Sequence, residues 1–436
     1  MANDLSLEPY KGVRDFYPED MAVFRHITDT MEKVARSFGY EEYGASVLEP
    51  SELYRGKSGD ELVNEQTYTF KDRGEREVTL RPEMTPTVAR MIAGRRRSLP
   101  IPIRWFSIPN LFRYEQPQRG RLREHWQLNC DLFGVANTEA DAEIIALAYR
   151  IMTAFGLTDK DFTVRVNSRK IMNFVIEDYL NLDDKLGRKI ARLIDKKAKM
   201  AEPEFKKAIT EAIGEKDELL LTLLDSANFE EFVSHLPKNE NLAAALSDVE
   251  KLIASLESRG VHNVQFDQTL MRGFDYYTGI VFEIFDTNPK NRRALFGGGR
   301  YDNLLSAFGV DPLPAVGFGM GDVTMRDVLE TRNLLPAFKN PAQIDICLAN
   351  EAGLAYANRL ADQLRAEGVA SVVDMTGRKV GDQIKAADKK GIPYIVCIGE
   401  NEVKSGTLKI KELASGVETV VADDKLSAFL KDAISN

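Results

Sequence analysis

The sequence predicts a multidomain α+β protein: an antiparallel sheet domain split by a helical insertion, followed by a mixed α/β domain. Three observations carry this. The chain has 436 residues; at roughly 150 residues per domain, about three compact regions are expected. Strand-like runs crowd between Thr67 and Phe133 with no long helix among them. That is the pattern of antiparallel pairing, because parallel strands need long crossovers. From Arg169 strand patterns almost vanish until Val261, and beyond Pro341 strands and helices alternate.

The first helix follows Pro18-Glu19-Asp20. Its apolar residues, Met21, Phe24, Ile27, Met31, Val34, Ala35 and Phe38, recur at spacings of three and four and make one buried face. Gly39 stops it in the C′ position. Strands are expected at Ala45 to Leu48, Thr67 to Lys71, Glu77 to Arg81, Ile103 to Ile108 and Leu128 to Phe133, with turn signals such as Asp72-Arg73-Gly74 between them. A second amphipathic helix runs from about Glu139 to Phe155. In the insertion, Leu242, Leu246, Val249, Leu252, Ile253 and Leu256 set a helical period that Gly260 ends. Strands return at Val264 to Phe266 and Val281 to Asp286. Gly297-Gly298-Gly299 and Pro314 to Gly321 follow, then a helix through Leu335. Pro336 to Pro341 reads as a linker, and Ile344 to Ala349, Val369 to Asp374 and Ile392 to Ile398 as strands separated by helices. The implied parts are 1–168 and 261–335 as two pieces of one domain, 169–260 as the insertion and 341–436 as the C-terminal domain.

Hydrophobic residues make up 44% and charged residues 29%, a composition that excludes default disorder. Apolar runs such as Ile144 to Tyr149 fall far short of the ~18 residues that cross a bilayer. The N-terminus has no basic start or apolar core, so no signal peptide is expected. Cys130, Cys347 and Cys397 are far apart and form no CxxC pair; neither a disulfide framework nor a cysteine zinc site is expected. A cytoplasmic protein with no membrane partner is the expectation. The net charge of −9 argues against a nonspecific nucleic-acid coat protein. Two local basic clusters stand out nonetheless: Arg95-Arg96-Arg97, and Arg113, Arg119, Arg121 and Arg123. Each is either a solvated face or a binding surface.

Several motifs fail on inspection. Gly56-Lys57-Ser58 resembles the end of a P-loop, but Ser51 stands where the first glycine belongs. Gly317-Phe318-Gly319-Met320-Gly321 is not GxGxxG, because Asp322 takes the last site. His26, His125, His235 and His262 show no metal-ligand spacing, and no metal site is expected. Phe112-Arg113-Tyr114-Glu115 with Arg119-Gly120-Arg121-Leu122-Arg123 is harder to set aside. Guanidinium groups bind phosphate in a two-pronged geometry, and a carboxylate at Glu115 can accept from an exocyclic amine. The loop fits a nucleotide triphosphate grip; the alternative is an exposed hairpin with surface ion pairs.

Arg81-Pro82-Glu83-Met84-Thr85, Arg272-Gly273-Phe274-Asp275-Tyr276-Tyr277-Thr278-Gly279 and Gly297-Gly298-Gly299-Arg300-Tyr301-Asp302 stand beside that loop. With them the chain resembles the histidyl-tRNA synthetases, a class II aminoacyl-tRNA synthetase family. The resemblance runs from Lys11-Gly12-Val13-Arg14-Asp15 through Thr67 to Arg73 and Gln127 to Gly134 into the C-terminal region. It implies the class II synthetase fold, an antiparallel β-sheet catalytic domain with a helical insertion, and a mixed α/β anticodon-binding domain. It implies a histidine–tRNA ligase that activates L-histidine with ATP, accompanied by Mg²⁺, and transfers it to the 3′ end of tRNA(His). A homodimer is implied too.

By the same resemblance Arg113 and Arg272 are the catalytic arginines at the α-phosphate, Arg272 also near the histidine carboxylate. Glu115, Arg121, Arg123 and His125 match ATP contacts, His125 standing where an aromatic stacks on adenine. Glu83, Thr85 and Gln127 match contacts to the amino group. Asp131 and Tyr277 fit the two imidazole nitrogens, and Tyr276 lines the pocket. Two departures bear on this. Ser46 replaces the proline of the first class II motif, which builds the dimer interface. Thr324 stands where the third motif commonly has an arginine; Arg326 is two residues on, about 200° around a helix, so it faces elsewhere. The rivals are a non-catalytic histidine-binding regulatory paralogue of histidine biosynthesis, which generally lacks the C-terminal domain, and a sensor of uncharged tRNA. The region from Ile344 to Leu430 speaks against the first, and Arg113 with Arg272 against the second.

Overall fold

Proline is pre-set for the first turn of a helix, and Pro18 opens α1 (Pro18–Ser37), with Glu19 and Asp20 complementing the dipole. Ile27, Met31 and Ala35 are buried on its inner face. In this computed structural model residues 5–55, 65–197, 200–271, 276–291 and 293–435 are described. Two units emerge, Met1–Pro336 and Ala337–Asn436.

In the first unit α1 leads to β1 (Glu41–Glu42), β2 (Leu48–Pro50), β3 (Tyr68–Lys71) and β4 (Glu77–Leu80). Then come α2 (Thr85–Gly94), β5 (Ile103–Ser107), β6 (Asn110–Phe112), β7 (Glu124–Phe133), α3 (Thr138–Ala154) and β8 (Phe162–Ser168). The insertion holds α4 (Arg169–Asn173), α5 (Asp184–Asp195), α6 (Glu202–Ile213), α7 (Asp217–Leu224), α8 (Phe229–Ser234) and α9 (Glu240–Ser258). The unit closes with β9 (Val264–Phe266), β10 (Ile280–Asp286), β11 (Ala294–Arg300), β12 (Ala315–Gly321) and α10 (Asp322–Thr331). The main sheet has the order β1-β5-β7-β12-β11-β10-β8-β9, with β6 also on β7. Its pairs are antiparallel except β1–β5 and β8–β9. α1 and α3 pack on one face of this sheet, and the insertion's Ile190, Phe205, Leu220 and Leu252 continue the same hydrophobic core.

The structure differs from the sequence expectation at two places here. Thr67 to Lys71 and Glu77 to Arg81 are strands, but they leave the main sheet and form a separate one, β2-β4-β3. Asp72 makes their hairpin: its Oδ1 accepts from Gly74 N at 2.7 Å and Arg76 N at 3.0 Å. The run from Ala45 becomes a strand only at Leu48; the Ala45 and Ser46 carbonyls accept instead from the buried Arg81 Nη1 at 2.8 and 3.3 Å. A guanidinium taken out of water needs such acceptors.

The second unit holds β13 (Ile344–Leu348), α11 (Leu354–Ala366), β14 (Ser371–Val373), α12 (Val380–Lys389), β15 (Tyr394–Ile398), α13 (Glu400–Ser405), β16 (Thr407–Glu412), β17 (Glu418–Ala422) and α14 (Leu426–Ser435). β14-β13-β15 are parallel, as the strand–helix alternation requires. β16 and β17 add an antiparallel hairpin. Leu408 and Ile410 are buried there and alternate with exposed Thr407 and Lys409, the period-two signal of a half-buried strand. The unit has a core of its own around Ile346, Leu360, Val396 and Leu430.

Candidate active site

Residues opposite one another in an antiparallel pair share a face. β7 therefore presents His125, Gln127, Asn129 and Asp131 on one side. β12 sets Gly321, Gly319 and Gly317 opposite the last three of these residues, and β11 sets Gly297 and Gly299 opposite Gly319 and Gly317. The wall beside β7 is thus glycine only. A Cβ at Gly317 would stand 2.3 Å from Asp131 Oδ1, and one at Gly319 2.8 Å from the Gln127 amide. At Gly317 the Cys130 carbonyl, 2.7 Å away, also excludes a side chain, and the space these glycines leave is a cavity of about 100 Å³ that opens to solvent.

Six of the residues singled out from the sequence line this cavity: Glu83, Thr85, Arg113, Gln127, Tyr276 and Tyr277. The sequence spreads them over nearly 200 positions; four structural elements bring them together. Thr85 is the first residue of α2, so the positive end of the helix dipole meets the cavity. Glu83 is buried and accepts a hydrogen bond from the Tyr276 hydroxyl at 3.1 Å. Burial and then the Glu83 charge push the Tyr276 phenol well above its usual range, so it stays a neutral donor. Arg113 donates through Nε to the Pro82 carbonyl at 2.9 Å, which anchors its stem while its head borders the cavity. A buried carboxylate, an anchored guanidinium and a helix N-terminus together suit a ligand carrying both a cationic and an anionic group.

Asp131 is placed less directly than expected. It is 3% exposed and does not itself line the cavity; Tyr301, which does, donates to its Oδ1. Its Oδ2 has no hydrogen-bond partner among the described residues. Burial pushes this carboxyl up to about 7, the Tyr301 bond pulling the other way.

The loop from Arg113 to Arg123 is a tight hairpin closed by Gln118 and Arg121. Of its residues only Arg113 borders the cavity. Arg121 Nη1 pairs with Glu115 Oε2 at 3.2 Å. Arg123 is more committed: it stacks on Tyr114 at 4.1 Å and donates to the Tyr10 hydroxyl at 3.0 Å and the Glu115 carbonyl at 3.2 Å. In this arrangement the Arg123 donors tie the N-terminal segment to the loop. His125 is further along the β7 face, outside the cavity lining; burial, then Arg113 and Arg14, pull its imidazole down to about 3. It is neutral at any physiological pH.

The Thr324 position is where the loop tip docks. An ideal Cβ on Gly120 would be 3.6 Å from Thr324 Cγ2, and Arg119 Nε is 3.8 Å from Asp327 Oδ2. Arg326 turns away, as its angular offset requires, and pairs with Asp20 at 2.8 Å. Ser46 accepts from Leu48 N at 3.2 Å and turns the chain into β2. Arg272 and the rest of Arg272 to Asp275, and Gly56-Lys57-Ser58, lie outside the described residues.

Sequence reasoning gave no role to Asn129, Tyr301 or Phe318, which also line the cavity. Asn129 was within reach: it is two residues from both Gln127 and Asp131, the strand period. Tyr301 sat inside a quoted motif, but only the sheet register brings it to Asp131.

Comparison with known proteins identifies the family and the fold. The family model described as Histidyl-tRNA synthetase matches residues 12–322. One described as Anticodon binding domain matches residues 343–433. A histidine–tRNA ligase of Leptospira biflexa is 43% identical, covering 99% of each chain. The crystal structure of histidyl-tRNA synthetase from Nostoc sp. superposes with a TM-score of 0.81 at 22% identity, covering 99% of this chain and 100% of that one. A Bacillus halodurans structure, described as an ATP phosphoribosyltransferase regulatory subunit/histidyl-tRNA synthetase, has a TM-score of 0.74 at 26% identity, covering 89% of this chain and 97% of that one.

Proposed function

The chain belongs to the histidyl-tRNA synthetase family, and on that premise we propose that it joins L-histidine to tRNA(His) at the expense of ATP, through histidyl-adenylate. One observation carries this most strongly: Glu83, Thr85, Gln127, Tyr276 and Tyr277 meet Arg113 around a single glycine-walled cavity. Activation must bring the substrate carboxylate onto the α-phosphorus and stabilise the charge that develops there. The Glu83–Tyr276 pair and Gln127 hold the ammonium end. Arg113, fixed by Pro82, meets the α-phosphate, and the family assigns Arg272 a parallel duty. Mg²⁺ enters with the nucleotide, as MgATP. The test is histidine-dependent ATP–pyrophosphate exchange by purified protein, with the other amino acids in parallel. Exchange supported equally by a second amino acid overturns the assignment.

A purely regulatory, non-catalytic role is less well supported, because the region matching an anticodon-binding domain follows the catalytic part. That region is the proposed contact to tRNA. Among the described residues no helix is long and apolar enough to cross a membrane, and a cytoplasmic setting is part of the same proposal.

ATP has to be held without a cation at position 324. Arg121 is half exposed and its guanidinium pairs with Glu115, so its exchange onto a phosphate costs one surface ion pair, worth up to about 1 kcal/mol. Arg121→Ala is expected to raise the ATP KM roughly 10- to 100-fold, the scale of a lost charged hydrogen bond. Arg123→Ala is expected instead to lower the melting temperature, with a smaller change in ATP KM. Equal ATP effects from both substitutions would contradict this division.

A homodimer is proposed through the small sheet. Leu48, Leu80 and Tyr68 form one row, and Pro50, Val78 and Phe70 the next row on the same face. Leu48 and Phe70 are 44% and 48% exposed, an apolar surface of the kind that marks an interface. Phe70→Glu is expected to shift the sedimenting species from dimer to monomer at micromolar concentration, whereas an unchanged mass would rule this face out.

A further inference from the structure

Three polar side chains stand behind the cavity with atoms that find no hydrogen-bond partner among the described residues: Tyr43 Oη, Ser107 Oγ and Asp131 Oδ2. All three residues are nine-tenths or more buried. The register puts them together. β5 sets Trp105 opposite Asp131 and Ser107 opposite Asn129, so Ser107 and Asp131 are diagonal neighbours on one face. Tyr43 follows β1, whose Glu41 lies beside Trp105. Its N–H donates to the Phe106 carbonyl at 2.9 Å, and its ring stacks on Trp105 at 5.7 Å. The Tyr43 phenol is raised well above its usual range by burial and then by the Asp131 charge, while the Ser107 hydroxyl lowers it as a hydrogen-bonding group would; the two hydroxyls therefore stand close together, short of a well-formed bond. That places all three groups within electrostatic reach.

Buried polar atoms in folded proteins are rarely left unpaired, and an internal water needs two to four polar partners. We propose that Tyr43, Ser107 and Asp131 form a three-oxygen seat for one water molecule, and that Tyr43 and Ser107 are thereby positioning residues for recognition of the histidine ring. The Tyr43 hydroxyl donates to the water, and the water donates to Asp131 Oδ2 and Ser107 Oγ. Asp131 then has one oxygen held by Tyr301 and the other by the water. Its orientation is fixed from both sides, and a ring N–H that reaches it past Gly317 meets an acceptor that does not turn away. The inference rests on the histidine reading of the cavity, and adds two residues that no part of that reading uses.

The experiment is histidine binding by calorimetry and ATP–pyrophosphate exchange for Ser107→Ala, Tyr43→Phe, the double variant and Ser107→Thr. Tyr43→Phe keeps the ring on Trp105, and Ser107→Thr keeps the hydroxyl. Each single loss of a hydroxyl is expected to weaken histidine binding and raise the histidine KM about 10-fold, with the ATP KM and kcat within about twofold. Because both groups act on one water, the double variant is expected to be little worse than the worse single variant; Ser107→Thr is expected to keep near-normal binding. Unchanged histidine KM, equal effects on ATP, or fully additive penalties would each overturn the proposal. If the unsubstituted chain binds no histidine, the functional reading itself fails and takes this inference with it. If it binds and the variants bind equally, only the inference falls.

Discussion

Arg113→Ala is expected to lower histidyl-adenylate formation about 10²–10³-fold, the scale of losing one preorganised group that meets developing charge. The reason is geometric. Arg113 Nε is occupied by the Pro82 carbonyl, so the stem is held and the head needs little reorganisation when the pentavalent phosphorus forms. Histidine binding alone should fall much less, because Glu83, Thr85, Gln127 and Tyr276 remain in place. Single-turnover activation separates the two effects. A rate near that of the unsubstituted chain would make Arg113 a wall residue with no part in the chemistry. Arg113→Lys should recover little, since an ammonium lacks the planar fork and the second contact.

Asp131→Asn is expected to have opposite effects on binding and on stability. The substituted side chain loses the charge proposed to accept from the histidine ring. A site built to pair a polar ring rejects poorly matched partners by several kcal/mol, so the histidine KM should rise at least about 10²-fold. Stability should move the other way above neutral pH. Burial raises this carboxyl from 3.8 to about 7. Between those values the folded chain holds a proton that the unfolded chain has released, so stability falls as pH rises through that window. The cost is absent below about pH 4 and complete above about pH 7, where it is on the order of 4 kcal/mol. The amide that replaces the carboxyl does not titrate. Without histidine, the melting temperature of Asp131→Asn minus that of the unsubstituted chain should therefore grow from pH 5 to pH 8. A difference that stays constant with pH would mean that Asp131 ionises in the folded chain as readily as in the unfolded one, its carboxyl not raised at all.

The stability cost has a functional reading. A carboxylate kept partly desolvated is a poor guest until a donor arrives, and a substrate N–H that satisfies it recovers that energy. Such a site gains selectivity from its own discomfort.

Much of this protein was legible in its sequence because much of it is local. The face of α1 follows from apolar spacing, its ends from Pro18 and Gly39, and the parallel strands β13, β14 and β15 from alternation with helices. These features depend on neighbours three to ten positions away. The residues of the site were readable through motifs shared with the synthetase family, and Glu83, Thr85, Arg113, Gln127, Tyr276 and Tyr277 line one cavity. What the sequence left undetermined was set by register and burial. Antiparallel pairing of β7 with β12 and β5 decides that Gly317 clears the space in front of Asp131, and that Ser107 stands beside it. Only the packed interior decides that Tyr301 takes one oxygen of Asp131, and only the path of the N-terminal segment over the surface brings Tyr10 to Arg123. Pairing across more than a hundred positions is decided by which faces bury together, and a buried polar atom takes whichever partner the packing brings within reach.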